Sequence, residues 1–114
     1  MISRPTPKHI SGLSELAADY DVILSDVWGV VHDGRTHTPS AADALTRFRA
    51  KGGTVVLITN APRPRAPIQD MLDGFGLPRE AYDSIVSSGD VTVDLVAARG
   101  TAPLHHIGPP KDLS

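Results

Sequence analysis

The chain has no cysteine among its 114 residues, few aromatic residues (4%) and no long apolar run. The absence of cysteine excludes disulfide bonds and thiolate chemistry, and it is typical of proteins from a reducing compartment. A membrane-spanning helix needs roughly 20 consecutive apolar residues, and the first residues do not resemble a signal peptide. We therefore expect a cytoplasmic protein without a membrane partner.

The chain also lacks a strong charge of either sign. Its net charge is −2, and 40% of its residues are hydrophobic. A nucleic-acid-binding protein usually carries a basic surface, so we expect no nucleic-acid partner. The length suits one modest hydrophobic core rather than two domains.

Short apolar runs alternate with segments of helical periodicity along most of the chain. This alternation predicts an α/β fold, Rossmann-like, with a mostly parallel sheet flanked by helices. Residues 1–20 are interpreted as an extended arm followed by a short helix, residues 21–108 as the α/β core and residues 109–114 as a tail. The predicted strands are 22–25, 54–58, 84–87 and 104–108, and the predicted helices are 11–20, 41–51, 67–75, 79–82 and 91–99.

Polar residues follow the first two predicted strands directly. Asp26 ends the first apolar run, and Thr59 and Asn60 end the second. Open parallel sheets bind ligands at the carboxyl ends of their strands, so we expect these residues to face one crevice. A turn or strand-end role for Asp26 is the plainer alternative.

The sequence Asp-Val-Trp-Gly-Val at residues 26–30 resembles the first motif of the haloacid dehalogenase (HAD) superfamily, Asp-x-Asp-Gly-Thr/Val. With His-Asp-Gly at residues 32–34, it is most similar to the class IIA branch, which includes NagD-like and nitrophenylphosphatase-like hydrolases. The departure from the motif is Trp28, which replaces the usual second aspartate. The resemblance covers the chain from about residue 20 to residue 108 and implies the first half of a HAD core.

The resemblance implies a phosphohydrolase that acts on a small phosphomonoester. Asp26 would be the catalytic nucleophile and would form an aspartyl phosphate, while Thr59, Asn60 and Gly29 would bind the phosphoryl group. The implied cofactor is Mg²⁺, held by the Asp26 carboxylate and by the main-chain carbonyl of Trp28. Carboxylate, carbonyl and water oxygens are the ligands that such a hard cation prefers.

Trp28 cannot act as the general acid that the second aspartate supplies, a contribution of about 10²- to 10⁴-fold. We therefore expect slow turnover or a shifted substrate class. The resemblance implies that the loop of residues 27–39 is a flap over the site. Trp28, His32 and Asp33 are candidate substrate or flap residues, and His32 and Asp33 are close enough in sequence to offer a replacement acid. For His32 and Asp33 the favoured interpretation is that they are polar residues of the flap without a catalytic role.

Two later HAD elements, a lysine and an acidic pair, have no counterpart in the sequence. We expect an amino-terminal fragment with an incomplete site; the alternatives are a catalytically weak or inactive phosphate-binding or regulatory domain, and a receiver-like domain phosphorylated on Asp26. Receivers carry an acidic pair early in the chain and a late lysine, which are not apparent here. An incomplete sheet exposes an edge and apolar surface, so we also expect self-association.

Overall fold

The computed structural model describes residues 2–110. Its centre is a parallel sheet of three strands, β1, β2 and β3, arranged in chain order. One helix follows each strand, so the predicted α/β class with a parallel sheet is confirmed. The elements are β1 (Val22–Asp26), α1 (Pro39–Ala50), β2 (Thr54–Thr59), α2 (Arg65–Gly74), β3 (Ser84–Ser87) and α3 (Ser88–Ala98), with 3₁₀ turns at Leu13–Glu15, Ala17–Asp19 and Arg79–Ala81.

The hydrophobic core lies on one face of the sheet. Strand side chains alternate between the two faces, and on this face Val55 and Leu57 of the central strand are completely buried. They pack in a single cluster with apolar residues of α1 and α2. The helix residues of the cluster are Ala42, Leu45, Phe48, Ile68 and Leu72.

The opposite face of the sheet is largely uncovered within residues 2–110. Leu24 is 65% exposed, and Ile58 and Val86 on the neighbouring strands are each about two-fifths exposed. Val22 on β1 is exposed on the same face. We call these four residues, Val22, Leu24, Ile58 and Val86, the bare sheet face; they form an apolar patch across the three strands.

Four predicted helix boundaries were wrong. The segment 11–20 forms two 3₁₀ turns with no fully buried residue, although the partly buried Ala17 packs against the core. The other three helices begin two or three residues earlier than predicted, at Pro39, Arg65 and Ser88. At the start of α2 the Arg65 N–H donates to the distant Asp90, and at the start of α3 the Ser87 hydroxyl is a local cap that accepts from the Asp90 N–H.

The predicted fourth strand at 104–108 is absent from the described residues. Leu104 and Ile107 are largely exposed, and no strand lies beside them. A strand requires a pairing partner, which an apolar sequence pattern alone cannot provide. Most of the predicted tail, residues 111–114, lies outside the described residues. Within residues 2–110, no helix combines the length and the apolar character needed to span a membrane.

Candidate active site

The Asp26 carboxylate lies at the carboxyl end of β1 and is exposed. Its Oδ1 accepts a hydrogen bond from the Val27 main-chain N–H at 2.8 Å. Among residues 2–110, Oδ2 accepts none, so one oxygen is oriented and the other is open. Buried Val27 anchors the residue that supplies this N–H, which fixes the carboxylate at the point where the strand ends.

Asp26 faces a groove on the outer side of β1. The groove has a volume of about 400 Å³ and is bordered by Val30 and by residues of α1. A separate crevice of about 320 Å³ lies on the other side of the same strand end. Asp26 does not line it, so the structure does not place Asp26 in one crevice with Thr59 and Asn60, as strand order had led us to expect. Trp28, His32, Thr59 and Asn60 line that crevice, so the structure brings these four predicted residues together.

Thr59 reaches the crevice because β1 and β2 are parallel and Asp26 pairs with Ile58 in the ladder. Thr59 is therefore one residue beyond the partner of Asp26, on an adjacent strand about 4.8 Å away. Its Oγ1 accepts a hydrogen bond from the Ala61 N–H at 3.2 Å. A hydroxyl that accepts in this way still has its own hydrogen to donate.

The loop after Asp26 turns at Gly29, whose φ of +78° is disfavoured for residues with a side chain. The Gly29 N–H donates to the His32 carbonyl at 2.8 Å, so this amide is already used within the loop. Open space surrounds the position of an added Cβ, so the backbone angle accounts for the glycine. Gly29 thus shapes the loop, and nothing crowds its outer side.

Trp28 is 65% exposed, yet contacts within the loop fix one side of its ring. The ring meets His32 edge-on, with ring centroids 5.0 Å apart. A Cβ added to Gly34 would meet the outer edge of the ring, and the φ of +91° at Gly34 favours glycine independently. The remaining surface of the indole forms a wall of the crevice.

His32 is 1% exposed and lies between Trp28 and Phe75. Its Nδ1 is 3.0 Å from the Gly34 N–H and accepts from it, which requires the neutral ring with the proton on Nε2. Burial lowers the pKa of His32 below its usual value of 6.5, although the charge of Asp33 opposes this shift. A neutral imidazole is a weak acid, so the geometry does not suit His32 as a replacement proton donor.

Asp33 caps the tip of the same loop. Its Oδ1 accepts from the N–H groups of Thr36 at 3.0 Å and Arg35 at 2.9 Å, and these two hydrogen bonds lower the pKa of the carboxyl group. The carboxylate is therefore a turn-forming group, and it does not line the crevice.

A magnesium ion has two candidate oxygen ligands in this loop. Oδ1 of Asp26 accepts one hydrogen bond and keeps a second lone pair for a metal, and within residues 2–110 no hydrogen bond is made to the Trp28 carbonyl. No cluster of three or more His, Asp or Glu side chains suited to a metal occurs in that part of the chain. Mg²⁺ commonly takes only one or two carboxylates and completes its shell with water and substrate oxygens, so the residues present fit it.

Several residues of the crevice had no assigned role in the sequence-based site. Pro67, Ile68 and Met71 of α2 form its apolar wall, and Arg63 lies at its border. The nearby Arg65 is instead paired with Asp90 at 3.2 Å. The sequence signal near Arg63 was the Pro-Arg-Pro-Arg segment at residues 62–65, which sequence alone does not distinguish from a solvated loop.

Comparison with known proteins identifies a family, a curated protein and a solved structure that are similar to this chain. A family described as haloacid dehalogenase-like hydrolase matches residues 23–114. Human glycerol-3-phosphate phosphatase is 41% identical over 66 residues, which cover 55% of this chain and 21% of that protein. A crystal structure of a haloacid dehalogenase-like family hydrolase from Brucella suis 1330 superimposes with a TM-score of 0.80 at 48% identity, over 89% of this chain and 37% of that one. The chain thus spans about a fifth of the first relative and little more than a third of the second.

Proposed function

Because the chain belongs to the haloacid dehalogenase-like hydrolases, we propose that it serves phosphoryl transfer from a small phosphomonoester to Asp26. The observation that carries this proposal is the Asp26 carboxylate itself. It is exposed at the carboxyl end of a parallel strand, with Oδ1 held by the Val27 N–H and Oδ2 open. A carboxylate fixed in this way is suited to nucleophilic attack, because little reorientation is needed.

In the proposed reaction, Oδ2 of Asp26 attacks phosphorus while the bond from phosphorus to the leaving oxygen breaks. The product is an aspartyl phosphate, and water then cleaves it to release phosphate and regenerate Asp26. Trp28 has no acidic proton, so the leaving oxygen takes its proton from solvent. The first step is therefore slow for a poor leaving group.

Thr59 and Asn60 are proposed to bind the phosphoryl oxygens, and Gly29 is proposed to leave room for them beside the loop. The Thr59 hydroxyl accepts from Ala61 and keeps its hydrogen for an anion, while Asn60 is exposed at the crevice. Gly29 lets the substrate approach the backbone closely because no side chain intervenes. Mg²⁺, bound by Asp26 and the Trp28 carbonyl, would supply positive charge against the phosphate.

The substrate class is proposed from one relative and from the low charge of the chain. The human relative is named a glycerol-3-phosphate phosphatase, which supports a small phosphate ester as the ligand. A net charge of −2 supports a small-molecule partner over nucleic acid. The absence of cysteine supports a cytoplasmic location.

A second candidate function is phosphate binding without turnover. It is favoured by Trp28 in place of the acid and by His32, whose Nδ1 accepts from Gly34 and whose ring is therefore neutral. Neither residue offers a proton to the leaving group. A multiple-turnover assay separates the two functions: phosphate release in excess of the protein that also depends on Asp26 supports the hydrolase.

Fluorine NMR of the 114-residue chain with Mg²⁺ and beryllofluoride, a mimic of the aspartyl phosphate, tests the nucleophile. We expect a bound fluorine signal for the wild type and none for Asp26→Asn. Asp21→Asn is the matched control, because Asp21 is an exposed aspartate just before the other end of the same strand. A bound signal that persists in Asp26→Asn, or the absence of a signal in the wild type, would refute Asp26 as the phosphoryl acceptor.

A further inference from the structure

The loop that follows Thr59 and Asn60 is held by hydrogen bonds at every second residue. We call residues 61–65 the crevice loop and residues 87–90 the anchoring segment. The Ala61 carbonyl accepts from the Gly89 N–H at 3.1 Å, and the Arg63 carbonyl accepts from the Ser87 hydroxyl at 2.6 Å. At the third point, the Arg65 N–H donates to Asp90 Oδ2 at 3.1 Å.

The anchoring segment is itself hydrogen-bonded and closely packed. Ser87 is 1% exposed, and its hydroxyl both donates to Arg63 and accepts from the Asp90 N–H at 3.1 Å. Gly89 is buried, and a Cβ on it would lie 2.4 Å from the Arg63 carbonyl carbon and oxygen. The crevice loop therefore passes directly over Gly89, at a distance that no side chain permits.

These contacts extend to the candidate phosphate-binding group. The Ala61 residue that accepts from Gly89 is the same residue whose N–H donates to Thr59 Oγ1. The position of Ala61 thus determines which lone pair of the hydroxyl is occupied and where its hydrogen is directed. A shift of the crevice loop would release the Thr59 hydroxyl from this hydrogen bond.

We propose that Ser87, Gly89 and Asp90 are positioning residues for phosphate binding, acting through the crevice loop on the Thr59 hydroxyl. The inference rests on the proposed function, since it assigns these residues to the same phosphoryl site. Their effect is one of geometry. Removing the negative charge of Asp90 would by itself favour an anion nearby, so weaker phosphate binding in an Asp90 variant indicates lost positioning.

The test compares two variants of the anchoring segment with two matched controls in the 114-residue chain. Ser87→Ala is paired with Ser88→Ala, its exposed neighbour, and Asp90→Ala is paired with Asp94→Ala, an exposed aspartate one turn later on α3. Beryllofluoride affinity with Mg²⁺ is measured by fluorine NMR. Amide hydrogen exchange of Arg65 is measured on the same samples.

We expect Ser87→Ala and Asp90→Ala to bind beryllofluoride roughly 3- to 10-fold more weakly, because the loop then occupies its competent position only part of the time. The Arg65 amide should exchange faster in Asp90→Ala, and both controls should match the wild type. Asp90→Asn keeps an acceptor oxygen for the Arg65 N–H and should recover most of the affinity.

Unchanged affinity in folded Ser87→Ala and Asp90→Ala, with normal binding by the wild type, overturns the positioning role and leaves the proposed function standing. Absence of binding by the wild type refutes the proposed function and the positioning role together. If Ser87→Ala does not fold, Asp90→Ala decides the matter, because the Asp90 side chain is partly exposed and its removal leaves no core cavity.

Discussion

Replacing Gly89 by alanine should destabilise the fold, although alanine normally stabilises a helix. Gly89 lies in the first turn of α3, where Gly→Ala is favourable by about 1 kcal/mol from helix propensity alone. The added Cβ, however, would lie 2.4 Å from two backbone atoms of Arg63 and 2.6 Å from a third. Ordinary contacts begin near 3.4 Å, so the crevice loop has to move by about 1 Å.

The cost of that movement can be estimated from overpacking in other proteins, which is about 1 to 3 kcal/mol. The hydrogen bond from the Gly89 N–H to the Ala61 carbonyl lengthens as well, and a bond of this kind contributes about 1 kcal/mol. After subtraction of the propensity gain, we expect the free energy of unfolding to fall by about 1 to 3 kcal/mol.

Gly74→Ala is the matched control, because Gly74 is also helical and a Cβ added there would have no atom within 4 Å. It should raise the free energy of unfolding by about 0.5 to 1 kcal/mol. Urea unfolding followed by far-ultraviolet circular dichroism measures both values, and the two midpoints should be separated by about 1 to 2 M. A Gly89→Ala protein as stable as Gly74→Ala would show that the crevice loop does not rest on α3.

Three further predictions concern the flap and the sheet. As the pH falls below 6.5, His32 is protonated in the unfolded state before it is protonated in the folded state, so the free energy of unfolding should decrease. His32→Asn keeps an acceptor for the Gly34 N–H and should lack this decrease, as urea unfolding at several pH values would show. Trp28→Asp should raise phosphate release by about 10²- to 10⁴-fold by supplying a general acid, whereas Trp28→Asn should not; equal rates would contradict the role given to this position. The bare sheet face should cause self-association in sedimentation experiments, and Leu24→Lys should reduce it; a strictly monomeric wild type at high concentration would refute this.

The strands were predictable because each is a short apolar run with clear limits. The bounds of β3 match the prediction, and β1 and β2 each extend one residue further than predicted. The helix starts were less predictable, because they depend on partners distant in sequence. The first residue of α2, for example, has its N–H bound by Asp90, 25 residues later.

The predictable part of the candidate site was the position of its residues at the ends of neighbouring strands. Asp26 and Thr59 follow neighbouring strands of a parallel sheet, and the family motif indicated the same two residues. The sequence did not indicate that the Gly29 amide is occupied by His32, or that the His32 ring is buried and neutral. Both facts depend on how the flap folds on itself, which local spacing does not determine.

The predicted strand at 104–108 shows that an apolar sequence pattern alone does not establish a strand. Leu104 and Ile107 have the apolar character of a strand, but they are exposed. Whether such a segment forms a strand depends on whether a sheet edge lies beside it, and that is a property of the whole fold.

The order of strands in the sheet also has a consequence for how the protein folds. Each strand pairs with the next strand in the chain, and the paired residues are about 30 positions apart. The β1–β2 ladder can therefore form before β3 has been synthesised, and β3 then adds to an existing edge. Since short sequence separations favour fast folding, this part of the chain can acquire its sheet progressively during translation.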